Sequence, residues 1–192
     1  MQPGRDVEYV ALDAGEDFAS ISRLAELVAG EDAVTWLTVP TTDPAGAAKA
    51  LEAAGLILLQ RSELLMTADL RAHPRCMPAA PYRILTEFDS ERGGNVVSAT
   101  VWHESGQVGA RGTMGLTGSD AVADRIETMP AHRRRGLASA IMSALAGTAV
   151  DEGVERGILI ASEDGQRLYT TLGWQPAANV LIATTPGNTY PS

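Results

Sequence analysis

The sequence predicts a layered α/β fold: a mixed, mostly antiparallel sheet with one parallel strand pair, preceded by a smaller α/β half. Three observations predict it. Residues 82 to 128 fall into short alternating apolar and polar runs separated by turn residues, as in an antiparallel meander. Residues 121 to 162 read strand, helix, strand, a crossover that makes its two strands parallel. A similar unit occurs earlier, and setting Gly55 on Gly173 places Leu51 on Tyr169.

Taken in order, residues 1 to 8 are polar and read as loose. Glu16 to Ala29 carries Phe18, Ile21, Leu24, Ala25, Leu27 and Val28, a helix-like set that ends at Gly30. Ala33 to Val39 reads as a strand that Pro40 stops. Asp43 is an N-cap with Pro44 behind it, so a helix should run to about Ala54 and end at Gly55. Leu56 to Leu70 reads as one long strand or a hairpin. Arg71 to Pro81 has three prolines and no periodicity, and is expected to link a half at 1–70 to a domain at 82–184.

Within 82–184, strands are expected over 82–88, 95–103, 107–116 and 121–128, with Glu104, Ser105 and Gly106 turning a hairpin. A helix follows from Leu137, with Leu137, Ile141 and Leu145 on one face, and Gly153 ends it. Arg156 to Ser162 is apolar enough to be buried on both faces. Glu163 to Leu172 should be a short helix and Trp174 to Ala183 the last strand. The tail, 185–192, is expected to be disordered.

At 192 residues and 45% apolar content the chain can bury a proper core. Cys76 is the only cysteine, which rules out an internal disulfide and points to a reducing cytoplasm. No apolar run approaches the roughly 18 residues of a membrane helix, so no membrane association is expected. A net charge of −9 argues against general nucleic-acid binding. No His, Cys and carboxylate cluster has metal spacing, so no metal is expected.

The chemically unusual stretch is the turn from Pro130 to Gly136. Arg133, Arg134 and Arg135 stand at the positive end of the helix dipole, where cations are disfavoured, and no Ser, Thr, Asp or Asn caps the free amides. One explanation is a solvated arginine run. The other is an anion, which would satisfy amides, dipole and arginines together, with Gly136 leaving room for a phosphate.

The spacing Arg133, Gly136, Ala138 after a strand ending at Pro130 resembles the R-x-x-G-x-G/A signature of the GNAT N-acetyltransferase superfamily. Leu168, Tyr169, Gly173 and Trp174 resemble its L-Y-x-x-x-G-F/W segment. The resemblance implies that acetyl-CoA is the co-substrate, that its pyrophosphate sits on Arg133, Arg134, Arg135, Gly136, Leu137, Ala138 and Ser139, and that Ile126, Glu127, Thr128 and Ser162 complete the site. It also implies that the two parallel strands splay to admit the pantetheine arm, that an amide near Thr128 meets the thioester carbonyl, and that Tyr169 protonates the leaving thiolate. Strand alternation puts Asp120, Asp124 and Thr128 on one face and Arg125 and Glu127 on the other, which makes Asp124 the first candidate base and His103 the second. His132, within the turn, is expected at phosphate or solvent.

Two departures from the family pattern stand out. Ser162 and Gly165 replace an asparagine and an alanine often found there. Only DSERGGN separates Phe88 from Val96, where the family inserts two helices that wall the acceptor pocket. Either the first half supplies that wall or the acceptor is large. The expected function is transfer of an acetyl group to an amine, small molecule or peptide, with a homodimer left open. The alternative is a non-catalytic acyl-CoA-binding or protein-interaction module. The half at 1–70 is expected to be a degenerate repeat without a cofactor site.

Overall fold

The structure, a computed structural model, describes residues 6–12, 18–59, 62–88 and 94–189. Expectations for residues 1–5, 16–17, 60–61, 89–93 and 190–192 lie outside the described residues. The fold is a mixed α/β arrangement of parallel and antiparallel strands with four α-helices among the described residues. The chain forms two compact units: Met1–Leu65 with Ile160–Gln166 and Pro176–Ser192, and Met66–Leu159 with Arg167–Gln175. Both are discontinuous in sequence, and residues 71–81 lie inside the second.

In the first unit, β1 (Val7–Val10) pairs parallel with β2 (Thr35–Thr41), a strand where the sequence suggested loose chain. β2 runs through Pro40. The proline is tolerated because it lies past the last β1 pairing, Val10↔Thr38. α1 (Phe18–Gly30) and α2 (Pro44–Ala53) bury Ile21, Ala25 and Val28, and Ala47 and Leu51, against Leu37 and Val39 of β2. Asp43 caps α2 as expected, its carboxylate accepting from Gly46 N at 3.0 Å. Residues 56–70 are neither one strand nor a hairpin. Instead, β3 (Ile57–Leu58) pairs with β10 (Gln175–Thr184), and β4 (Glu63–Asp69) follows separately. The described part of the tail is a turn in which Asn188 Nδ2 donates to Thr184 and Thr185 hydroxyls at 3.2 and 3.0 Å.

The second unit is built on the meander β5 (Tyr82–Phe88), β6 (Val96–His103), β7 (Val108–Thr117) and β8 (Asp120–Thr128). β9 (Arg156–Ala161) lies parallel to β8, giving the order β9-β8-β7-β6-β5. α3 (Leu137–Asp151) covers one face, and two strand glycines let it approach closely. A Cβ on Gly109 would meet Leu137 at 3.0 Å, and one on Gly112 would meet Ile141 at 2.8 Å. Residues 71–81 also lie along this helix, Cys76 N donating to Ser143 Oγ at 2.8 Å.

β9 departs from expectation in one respect. Its burial alternates, and Ile160 is 46% exposed, so it is not covered on both faces. Gly157 within it is enclosed: a Cβ there would lie 2.6 Å from both Leu70 Cδ2 and Trp174 Cη2. Gly157→Ala is therefore expected to destabilise the protein by about 1–3 kcal/mol through overpacking, read from the midpoint of urea unfolding.

His73 packs edge-on against Trp174 and is buried, with Nδ1 against Pro74 O at 3.0 Å. Burial pushes its pKa below the ordinary 6.5. The unfolded histidine takes up a proton first as pH falls, so this contribution to stability is complete above pH 6.5 and is lost progressively below it. Unfolding titrations at neutral and mildly acidic pH should show that decline in the wild type and a shallower one in His73→Gln.

Candidate active site

Two backbone irregularities shape the site. Along β8, Thr113 faces Asp124 but Arg111 faces Glu127, so Arg125 and Ile126 together oppose the single residue Gly112. Arg125 has φ 55°, a left-handed conformation for a non-glycine residue. The missing side chain of Gly112 makes room for this bulge, since a Cβ there would lie 2.5 Å from Ile126 Cδ1.

The bulge corrects the face assignment. One extra residue reverses the alternation, so Asp124 shares a face with Glu127 and not with Thr128, which moves to the face of Ala123 and Ala110. Asp124 is exposed, its Oδ1 accepting from Arg125 N at 2.8 Å and its Oδ2 lying 3.5 Å from Arg125 Nε. That carboxylate shapes the bulge. Glu127, also exposed, is paired with Arg111 at 2.8 Å. His103 lies beside Tyr82 and His132, its ring centroid 5.1 and 5.6 Å from theirs, with Nδ1 2.8 Å from Ser105 Oγ.

The second irregularity is where β8 and β9 separate. Their parallel pairing covers Asp120↔Arg156, Ala121↔Gly157 and Val122↔Ile158 and goes no further. The Arg156 guanidinium clasps Asp120 at that end, at 2.7 and 2.9 Å, and holds the carboxyl below the usual aspartate range. From Ala123 to Thr128 the β8 edge has no β9 partner among the described residues.

Beyond Thr128 the chain makes a 3₁₀ turn, Pro130–His132, and enters α3 through Gly136 at φ 72°, ψ 10°. This left-handed N-cap has no side chain to bond the free amides. The first helical bond is Ala140 N to Gly136 O at 3.1 Å, which leaves the amides of Leu137, Ala138 and Ser139 ahead of it. Gly136 is needed for its positive φ, because a Cβ there would meet nothing within 4 Å.

The three arginines part company. Arg133 Nε donates to Thr128 O at 3.4 Å, tying the turn to the strand end. Arg135 Nη1 donates to Tyr82 Oη at 3.0 Å. Arg134, at φ 61° and exposed, has no side-chain partner among the described residues. His132, expected at phosphate or solvent, is instead buried, its Nδ1 2.8 Å from Tyr82 Oη. Tyr82 is the residue that sequence reasoning missed: it joins β5 to the turn 50 residues later.

Ser162 precedes α4 (Glu163–Thr171), and its carbonyl accepts from Gly165 N and Gln166 N at 2.9 and 3.0 Å. Tyr169, in the last turns of α4, is 9% exposed and lies 6.2 Å from Trp174 between ring centroids. Its hydroxyl has no hydrogen-bond partner among the described residues, and burial pushes its pKa up to about 12. No group of three or more metal-ligating side chains occurs among the described residues.

The profile of the Acetyltransferase (GNAT) family matches residues 62–174. No curated protein sequence matches significantly. Among solved structures, a GCN5-related N-acetyltransferase from Kribbella flavida is similar at 17% identity, over 94% of this chain and 82% of that one, with a TM-score of 0.72. A tandem GNAT protein from the clavulanic acid biosynthesis pathway, solved without AcCoA, is similar at 17% identity over 91% and 70%, with a TM-score of 0.66. A GCN5-related N-acetyltransferase from Sphaerobacter thermophilus is similar at 15% identity over 83% and 63%, with a TM-score of 0.61. At these identities the likeness concerns the fold.

Proposed function

The chain belongs to the acetyltransferase (GNAT) family, and from that premise we propose that it transfers the acetyl group of acetyl-CoA directly to an amine. The observation that carries this reading is the uncapped N-terminus of α3 behind a left-handed Gly136, with the unpartnered Arg134 beside it. A pyrophosphate supplies the acceptors that those amides and that guanidinium lack.

In this reading Arg134 and the amides of Leu137, Ala138 and Ser139 hold the pyrophosphate, and Arg133 braces the turn against Thr128. The unpaired β8 edge from Ala123 to Thr128 receives the pantetheine arm and offers an amide to the thioester carbonyl, where negative charge develops. The amine nitrogen attacks the carbonyl carbon, the C–S bond breaks, and the thiolate takes the Tyr169 proton. A hydroxyl held near 12 remains protonated at neutral pH, as a proton donor must. The ammonium proton passes to water, since Asp124 and Glu127 are exposed and turned onto Arg125 and Arg111. No side chain is assigned as base.

Residues 1–70 are proposed to be a degenerate GNAT half without a cofactor site, a reading supported by the likeness to a tandem GNAT protein over 91% of this chain. The short Phe88 to Val96 connection favours a second reading, a non-catalytic acyl-CoA-binding or interaction module, since it leaves no length for the two helices of the acceptor wall. Calorimetric titration of acetyl-CoA into the purified chain is the test. Micromolar binding is expected; its absence would overturn the enzyme reading and the acyl-CoA-binding module and leave the interaction module.

A further inference from the structure

β5 ends the strand order of the second unit, and no strand covers its outer edge among the described residues. Natural edges are blunted with proline, a bulge or charged side chains, lysine above all. β5, with sequence YRILTEF, has no proline or lysine, carries one charge of each sign, and its seven pairings with β6, from Tyr82↔His103 to Phe88↔Val97, run without a register shift. Leu85 and Phe88 on it are 52% and 44% exposed.

The backbone polarity of this edge follows from two hydrogen bonds. Tyr82 N donates to Ala79 O and not to β6, and His103 N donates to Gln107 O, away from β5. Strand alternation therefore turns the amides and carbonyls of Arg83, Leu85 and Glu87 toward β6, and those of Tyr82, Ile84, Thr86 and Phe88 toward the open edge.

We propose that two copies of this chain pair through β5, antiparallel about a two-fold axis at Leu85. The charges select this partner and register. Arg83 and Glu87 are the only charged residues of β5, both are exposed, and neither has an ion-pair partner among the described residues. Their midpoint is Leu85, so the symmetric register sets Arg83 opposite Glu87 of the second copy, twice. It also sets Leu85 on Leu85, Ile84 opposite Thr86 and Tyr82 opposite Phe88. Arg83, Leu85 and Glu87 occupy the non-hydrogen-bonded positions of this new pairing, where side chains approach most closely. The bonds between the copies come from Ile84 and Thr86, whose amides and carbonyls point outward. One strand pair is a small interface, so the dimer is weak, in the micromolar range.

Sedimentation equilibrium of the intact chain from about 1 to about 300 μM should show the mass rising toward that of two chains. Arg83→Glu and Glu87→Arg, which set like charges opposite each other, should each weaken the dimer by at least about tenfold. An equimolar mixture of the two variants should dimerise again, because each supplies the charges the other needs. Thr86→Pro removes only an outward amide, so it should keep the β5–β6 ladder and abolish the dimer. Circular dichroism verifies that each variant is folded, and if Thr86→Pro is not, the mixing experiment decides alone. A chain that stays monomeric throughout, a dimer that survives Thr86→Pro in a folded protein, or a mixture that fails to reassociate overturns the proposal.

Discussion

Tyr169→Phe is expected to lower kcat by roughly 10²–10⁴-fold, the usual contribution of a positioned general acid, while acetyl-CoA affinity stays within about twofold. Without its phenol proton the enzyme must expel CoA as a free thiolate, and only the transition state is affected. The substitution is structurally mild. The Tyr169 ring stays in contact with Trp174, and the hydroxyl has no partner among the described residues to leave unpaired. The unfolding midpoint should therefore hold, which separates a chemical defect from a folding one. Since burial pushes the wild-type hydroxyl up to about 12, turnover should not decline through loss of this proton anywhere between neutral pH and about pH 10. Unchanged turnover in the variant would remove Tyr169 from the mechanism. A chain that binds acetyl-CoA and transfers nothing to any amine would favour the non-catalytic reading.

Combining Arg134→Glu with Gly136→Asp is expected to weaken acetyl-CoA binding by at least about 10²-fold, since each charge-assisted bond to phosphate contributes about 1.5–3 kcal/mol. The first change replaces the guanidinium that has no partner with a negative charge. The second sets a carboxylate at the N-cap, where it satisfies the free amides and occupies the place of the phosphate. It also puts a side chain at φ 72°, which aspartate tolerates better than most residues. Calorimetry on both proteins at two salt concentrations measures the effect, and wild-type affinity should fall with added salt. A double variant that binds as tightly as the wild type would show that the turn does not hold the pyrophosphate.

Much of the site was legible in the chain because it is local. Pro130 to Ser139 occupy consecutive positions, so the lack of a capping side chain, the glycine and the arginine run could be read together, and the structure bears out the bare N-terminus. The glycines after α2, α3 and α4 have positive φ where each helix ends. The segment around Tyr169 was visible for the same reason. What is not legible is non-local. Unbroken alternation puts Asp124 with Thr128, and the alternation fails at Arg125 and Ile126. The signal was Gly112, a glycine inside a strand, which marks a bulge or a close approach. Tyr82 gave no signal, since nothing in Pro81 or Arg83 shows that its hydroxyl meets His132 and Arg135.

Helix ends, the order of strands and helices in the second unit, and the uncapped, arginine-rich turn ahead of α3 are legible in the chain, because capping, periodicity and backbone φ depend on residues within one or two turns of each other. Tertiary structure alone decided where the alternation of β8 breaks, that β8 and β9 part after Val122 and Ile158, which arginine of three is left without a partner, and that β1 pairs with β2. Those outcomes depend on what lies opposite a residue across a sheet or beneath a helix, and a hydrogen bond spanning 50 positions leaves no trace in the neighbours of either partner.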